Sequence, residues 1–570
     1  VQDLNGDVLR EGITEMDGED NAYVEFSGLA TDWYRVYAPG EPEATYIYLD
    51  RDMEVTVDPC VGHTLFVDDL LDDRPSASFQ TIQDAVDASN PYDSILVLPG
   101  IYMENVVVDR EGLTICSTGG PQATIVDASG APDQPCFLIV ADGVTIGRSG
   151  FTIVNACIGI CVKPLLEGDS ISGVRIQGNI IRSNEFAGIY LDHSSRGRIM
   201  GNEVYDNNGF EGAQGICLEY SDRNTISRND VYGNGWGGIR LLESHGNTIS
   251  KNEIYEHVVF GIDVEGSGGN ILSGFRIYGS YDGAISENAN SDNNDAGMVF
   301  SRVLGNVIFD NKIHGNGEYG IILGFSAGNV ISRNRVAENG LGIFLGFSSG
   351  NAISGNIIVN NGVGIYLDSS SGNVISRNRI AANSDLGIFL TSSSENAISR
   401  NMILDNGIGI YLDSSSSNVI SRNDVAGNDL GIFLDSSSNN ISGNIITDNI
   451  YSIYLSSSSG NTISRNMILG NDYGIFLDYS SGNTISGNVI KANLDGIRLL
   501  YSSHNVISKN MIYRNLGILL EYSDFNTISR NKIDRNRCGI QQYYSYFNII
   551  SGNRFHGGWK PLHRHTTLRS

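Results

Sequence analysis

Residues 396–417 read NAISRNMILDNGIGIYLDSSSS, and this stretch decides the fold. It holds three short apolar segments, N-A-I-S, N-M-I and G-I-Y-L, set apart by Asn, Gly and Ser. Two or three aliphatic or β-branched residues bounded by turn formers make strands of a few residues joined by tight corners. A helix would need an apolar stripe recurring every three to four residues over ten or more, and Gly and Asn interrupt every segment here.

The same sentence recurs on both sides, as NVISRNRIAANSDLGIFLTSSSE at 373–395 and NTISRNMILGNDYGIFLDYSSG at 461–482. Its leading Asn returns at Asn224, Asn247, Asn270, Asn306, Asn329, Asn351, Asn373, Asn396, Asn418, Asn439, Asn461, Asn483, Asn505, Asn526 and Asn548. All but one of the gaps are 21 to 23 residues, and the exception, 36, follows Asn270. One coil cannot bury its own Ile and Leu, whereas stacked coils can, so the repeat predicts a solenoid with neighbouring strands about 4.8 Å apart. Asn tolerates the left-handed backbone of a sharp corner, and its amide can bond to the amide one coil away. Asn329, Asn351, Asn373, Asn396, Asn418, Asn461, Asn483 and Asn505 are therefore expected to form a structural ladder. A second ladder is expected five residues on, from Asn229 to Asn553.

The 570 residues carry 65 Asp and Glu against 37 Lys and Arg, a formal charge of −28. A surface so acidic repels nucleic acid and anionic lipid, which excludes both as direct partners. No run of eighteen apolar residues offers a membrane span, and no leader precedes Val1, so the chain reads as a mature product or part of a longer precursor. Five of the seven cysteines, Cys60, Cys116, Cys136, Cys157 and Cys161, fall in the first third. They read as one or two disulfides or as small buried residues; zinc lacks a second close Cys or His pair.

The repeats resemble the pectin-lyase-like superfamily, and most of all its carbohydrate-binding and sugar-hydrolase (CASH) branch, NosD-like proteins and repeat-rich archaeal surface proteins. FQTIQDAVDAS at 79–89, followed by DSILVLPGIYMENVVVDREGLTI at 93–115, is similar to that group's entry helix and first coils. The likeness covers about residues 64 to 553. It implies an all-β fold, a right-handed parallel β-helix of about 20 coils. Residues 61–553 then form the β-helix, with a capping helix near 79–89 that puts Phe79, Ile82 and Val86 on one face, and an insertion within 271–305. Residues 1–60 read as a small β-sandwich-like domain, in which FSGLATDWYRVYAPG at 26–40 resembles the end of a transthyretin-like or carboxypeptidase-regulatory sandwich. Asp3 to Asp7 opens like a calcium loop but lacks its glycine and final carboxylate, so a plain turn is expected. Residues 554–570 turn basic, as a C-terminal cap or tail, and His556, His563 and His565 there are a metal reading without a cluster.

Within G-I-x-L the middle residue varies, and Arg240, Asp263 and Arg498 occupy it, so that column faces outward. Phe344, Tyr366, Phe389, Tyr411, Phe433, Tyr454 and Phe476 then stack as seven exposed rings, either a self-supporting ladder or a contact face. Two residues on, Asp413 and Asp435 lie in successive coils, where they read as solvated acids or as a Ca²⁺ pair, the one cofactor the pattern admits. A basic column runs Arg377, Arg400, Arg422, Arg465, Lys509 and Arg530.

A polysaccharide-cleaving site must break the repeat, and only the stretch 185–300 does. The candidates there are Asp192, Glu219, His257, Asp263 and Glu265, with Glu219 and Glu265 as a loosely spaced acid pair. The expected function is an extracellular cell-surface or envelope structural protein, of surface-layer, sheath or filament type. Its partners would be copies of itself and envelope polysaccharide. The readings kept beside it are a secreted carbohydrate-active enzyme (lyase, hydrolase or epimerase) and a glycan-binding adhesin.

Overall fold

The computed structural model describes residues 63–70, 77–209, 212–274 and 296–557, with the backbone of short strands at 15–16, 22–23, 32–36, 45–49, 276–278 and 562–565. The chain divides into two compact units, Val1–Val258 and Val259–Ser570.

In the second unit each coil contributes three strands. In the coil quoted above these are Ala397–Ser399, Met402–Leu404 and Ile408–Asp413. Each pairs in parallel with its counterpart in the next coil: Ala397 with Val419, Met402 with Asp424, Ile408 with Leu430. Three parallel sheets result, and the inward residues Ile398, Ile403, Ile410 and Leu412 are fully buried. The Gly that opens G-I-x-L has a packing reason, since a Cβ at Gly387 would stand 2.5 Å from the carbonyl oxygen of Gly409. The 36-residue coil places its extra length between the strands Arg276–Tyr278 and Ala296–Ser301, outside the described residues.

The first unit is built on the same three-sheet plan from Thr64–Val67 onward. Its helix runs Ile82–Ala88 because the Thr81 hydroxyl caps the Asp84 N–H and the Glu104 carboxylate accepts from the N–H groups of Ile82 and Gln83, at 2.8 and 2.9 Å. Ile82, Ala85 and Val86 form its buried face. Phe79 is not on the helix: it lies before the cap, in a parallel bridge with Val67. Nearer the N-terminus, Glu15–Met16 pairs antiparallel with Ala22–Tyr23 and Asp32–Val36 with Thr45–Leu49. The rest of residues 1–60, the Asp3–Asp7 turn included, lies outside the described residues, as does Cys60. The six described cysteines are free thiols, and burial pushes Cys116 and Cys161 up to about 12.

Nearly every corner among the described residues follows one rule, which differs from the expected one. The ladder Asn is not the left-handed residue. The residue before it is: Arg377, Arg400, Arg422 and Arg465 all have φ of 57–58°, and Asn378, Asn401, Asn423 and Asn466 behind them are buried. A carboxamide that must point inward cannot also take the strained position, so the outward basic residue takes it.

Four ladders run through the second unit. Asn329 to Asn505 hold the corner before the first strand: the Asn351 N–H donates to Asn373 Oδ1 at 2.8 Å, and the Asn373 N–H to Asn396 Oδ1 at 2.8 Å. Asn311 to Asn531 hold the next corner. A third Asn series, Asn316 to Asn536, holds the corner before the third strand. A Ser series from Ser326 to Ser523 completes the turn back.

Candidate functional site

The outward column of the third sheet in the second unit runs Asp263, Val299, Ile322, Phe344 and onward in register. From Tyr366 to Phe476 successive rings stack with centroids 4.7–5.1 Å apart and interplanar angles of 16–21°. Phe344 leans on Tyr366 at 51°. The seven rings are not exposed, as the sequence suggested; all are half-buried. Each covers its neighbour's faces, and Tyr319, Tyr451 and Tyr473 pack alongside. Arg498 closes the column 5.7 Å over Phe476 while bonding Glu521. Burial first, then the charge of the neighbouring Asp368 or Asp413, raises the phenols of Tyr366 and Tyr411.

Asp413 and Asp435 are register partners, and each carboxylate accepts from the Ser that follows it, Ser414 at 2.9 Å and Ser436 at 3.4 Å. Among the described residues no three His, Cys, Asp or Glu side chains converge in a way that could hold a metal ion.

In the first unit the third sheet carries a denser polar group. Asp192 and Glu219 are register partners, two residues along from Tyr190 and Cys217. Tyr190 donates its hydroxyl to Glu219. His193 Nδ1 meets Asp192 Oδ1 at 2.5 Å, and Lys163 Nζ stands 3.5 Å from the other carboxylate oxygen. The His193 ring stacks on Tyr220 at 5.0 Å. Burial, reinforced by the bond to Glu219, pushes the Tyr190 phenol well up, so it stays a proton donor throughout the neutral range. Two hydrogen-bonded pairs of residue types used in general acid–base catalysis thus sit on adjacent coils.

The other candidates lie elsewhere. His257 is not on the outer face. It replaces Asn in the ladder Asn184, Asn207, Asn234, accepting from the Asn234 N–H at Nδ1 (3.3 Å), with Nε2 on the Val231 carbonyl (3.1 Å). Burial lowers it to about 4. Asp263 and Glu265 belong to the second unit, where their register partners are Val299 and Ser301.

Two groups lay outside the candidates read from the sequence. On the second sheet of the first unit, Glu203, Asp230 and Glu253 stand in register beside Tyr205, Tyr232 and Tyr255, whose rings stack at 4.8 and 4.9 Å. Burial, then the charges of Glu253 and Glu203, raises Asp230. The signal was E-V-Y, D-V-Y, E-I-Y at coil spacing. The other group is a set of exposed rings at the corner after the third strand, between Tyr479 and Phe547.

The family model described as Right handed beta helix region matches residues 165–323, 269–380, 305–439 and 348–490, together more than half of the chain. The model described as Periplasmic copper-binding protein (NosD) matches residues 431–558. Among solved structures the chain is similar to the periplasmic alginate epimerase AlgG, with 16% identity over 66% of this chain and 83% of that one and a TM-score of 0.35. It is similar to DFA-IIIase from Arthrobacter chlorophenolicus A6 without its lid, with 16% identity over 59% and 86% and a TM-score of 0.35. It is also similar to alginate lyase from Paenibacillus sp. str. FPU-7, with 16% identity over 52% and 92% and a TM-score of 0.28. No curated protein matches it.

Proposed function

Because the chain belongs to the right-handed β-helix family, we propose that it is a structural protein of the cell surface or envelope, an acidic solenoid that self-associates. One observation carries this reading. From Ala296 to Gly557 every described coil repeats one plan, and its outer columns pair with themselves rather than converging on a site. A formal charge of −28 suits exposure to a salty exterior. No helix among the described residues is long and apolar enough to cross a membrane. The test is sedimentation and negative-stain microscopy of the purified chain, with and without Ca²⁺. Concentration-dependent oligomers, sheets or filaments are expected; dispersed single particles under every condition would overturn the reading.

A second reading rests on the pairing of Tyr190 with Glu219 and of His193 with Asp192 on adjacent coils. It makes the first unit a carbohydrate-active enzyme. Under the structural reading, a panel of acidic and neutral polysaccharides stays uncut. Depolymerisation abolished by Tyr190→Phe or Glu219→Gln, at an unchanged melting temperature, would establish the enzyme instead.

A further inference from the structure

The corner after the third strand changes its residues along the second unit. Its two left-handed positions are filled through the middle coils by Ser369, Ser392, Ser414, Ser436 and Ser457 at the first and by Gly350, Gly372, Glu395, Ser417 and Gly460 at the second. From residue 479 onward aromatics replace them. Tyr479, Tyr501, Tyr522 and Tyr544 take the first position with φ of 46–48°, and Phe525 and Phe547 take the second with φ of 55–56°. Bulky side chains are least at home in this conformation.

These rings form two parallel ridges. The tyrosines stack at 4.9, 5.0 and 5.1 Å, and His504, Phe525 and Phe547 at 5.2 and 5.0 Å. Between the ridges lie half-buried Ser503 and Asp524, joined coil to coil by the Asp524 N–H donating to Ser503 Oγ at 3.0 Å. Exposure is large, 62% at Tyr479 and 75% at Phe547. With about 150–250 Å² per aromatic side chain, roughly half of it exposed on six rings, the patch is on the order of 600 Å². That lies at the upper limit for a solitary soluble protein, about 300–600 Å².

We infer that this aromatic corner is the surface through which two copies of the chain pair, an inference that rests on the self-association proposed above. Three features favour a second copy. The patch, with exposed Tyr546 and Ile549 beside it, approaches the roughly 800 Å² per partner of a standard interface. Two ridges flanking a furrow are complementary to themselves when turned about a two-fold axis, as an isologous contact requires. The acidity that would drive two copies apart also does not extend to this stretch, because residues 479–557 carry nine Lys and Arg against four Asp and Glu in a chain of net charge −28. A saccharide would stack on ring faces, and the inner faces are already spent on one another, at interplanar angles of 8–17°.

The test uses the full chain. Sedimentation velocity across about 0.1–50 μM, which covers the weak end of the μM-to-pM range of standard-size interfaces, should show a reversible dimer. The triple variant Tyr501→Ser, Tyr522→Ser, Phe525→Gly takes residues the chain itself uses at these positions, and should weaken dimerisation at least about 100-fold. Phe325→Ser with Phe347→Ser, at the same corner but outside the patch, should leave it unchanged. Hydroxyl-radical footprinting of the unmutated chain should show Tyr522 and Phe547 protected on dimerisation and Phe325 not, which decides the matter if the triple variant fails to fold. A triple variant that dimerises like the parent, or an unprotected corner in the dimer, would remove this surface and leave the structural reading standing. A chain monomeric at every concentration would remove both. A monomer that binds polysaccharide through these rings would overturn the pairing in favour of a glycan.

Discussion

Asn401→Ala is expected to destabilise the second unit by about 2–6 kcal/mol, since two buried polar groups are left unpaired at about 1–3 kcal/mol each. Asn401 Oδ1 accepts from both the N–H and the Nδ2 of Asn378, each at 3.0 Å. Its own Nδ2 donates to the Ile375 carbonyl at 2.9 Å and to Asn423 Oδ1 at 3.0 Å. Truncation strands the Asn378 N–H and one of the two Asn378 Nδ2 hydrogens in a site that water does not reach. The damage should also be local, because a coil touches only its neighbours. Guanidinium unfolding gives the size, and hydrogen exchange at the Asn378 amide gives the place. A loss below about 1 kcal/mol, the net worth of one ordinary hydrogen bond, would show the ladder to be ornament.

His257 should make the first unit acid-sensitive. Its folded-state value is lowered to about 4 from an ordinary 6.5 because the ring is buried as the neutral species. A base so depressed contributes stability that is fully present above pH 6.5 and is lost as pH falls from there towards 4. Two to three pH units at about 1.4 kcal/mol each put the loss near 3 kcal/mol. His257→Asn restores the residue type of Asn207 and Asn234 and removes this titration. Urea unfolding of both proteins at pH 7 and pH 4.5 is the measurement, and the difference between them is the readout, since surface carboxylates titrate alike in each. Parallel pH profiles would show that His257 is not held neutral.

The fold was legible because short β-branched segments between Asn, Gly and Ser at a fixed 21–23-residue period leave a stacked solenoid as the stable solution. What periodicity could not convey was depth. Arg498 and Asp263 show that their column faces outward, but only the 4.7–5.1 Å stacking reveals that Tyr411 and its neighbours shield one another. The left-handed role went to Asn on general preference, whereas the need to aim a carboxamide inward moves it to Arg400 and its counterparts. The third Asn ladder was present in the spacing of Asn373, Asn378 and Asn383, five residues apart. At the candidate site, Asp192 and Glu219 could be aligned by coil. Tyr190 and Lys163 could not, because their roles depend on side chains reaching across coils. The corner aromatics escaped because corners were read as turns, where residue size carries no periodic signal.

From Ser326 to Ser523 and from Asn329 to Asn505 each rung joins residues of one kind at equivalent places in consecutive coils. Excising residues 373–395 would bring Gly372 against Asn396, and Asn351 would find in Asn396 the acceptor it has in Asn373. Copy number is thus decoupled from foldability. Unequal recombination between near-identical coil sequences can lengthen or shorten the protein in whole steps, and each product inherits intact ladders. Selection can then act on span alone, leaving the corner chemistry and the terminal surfaces as they were.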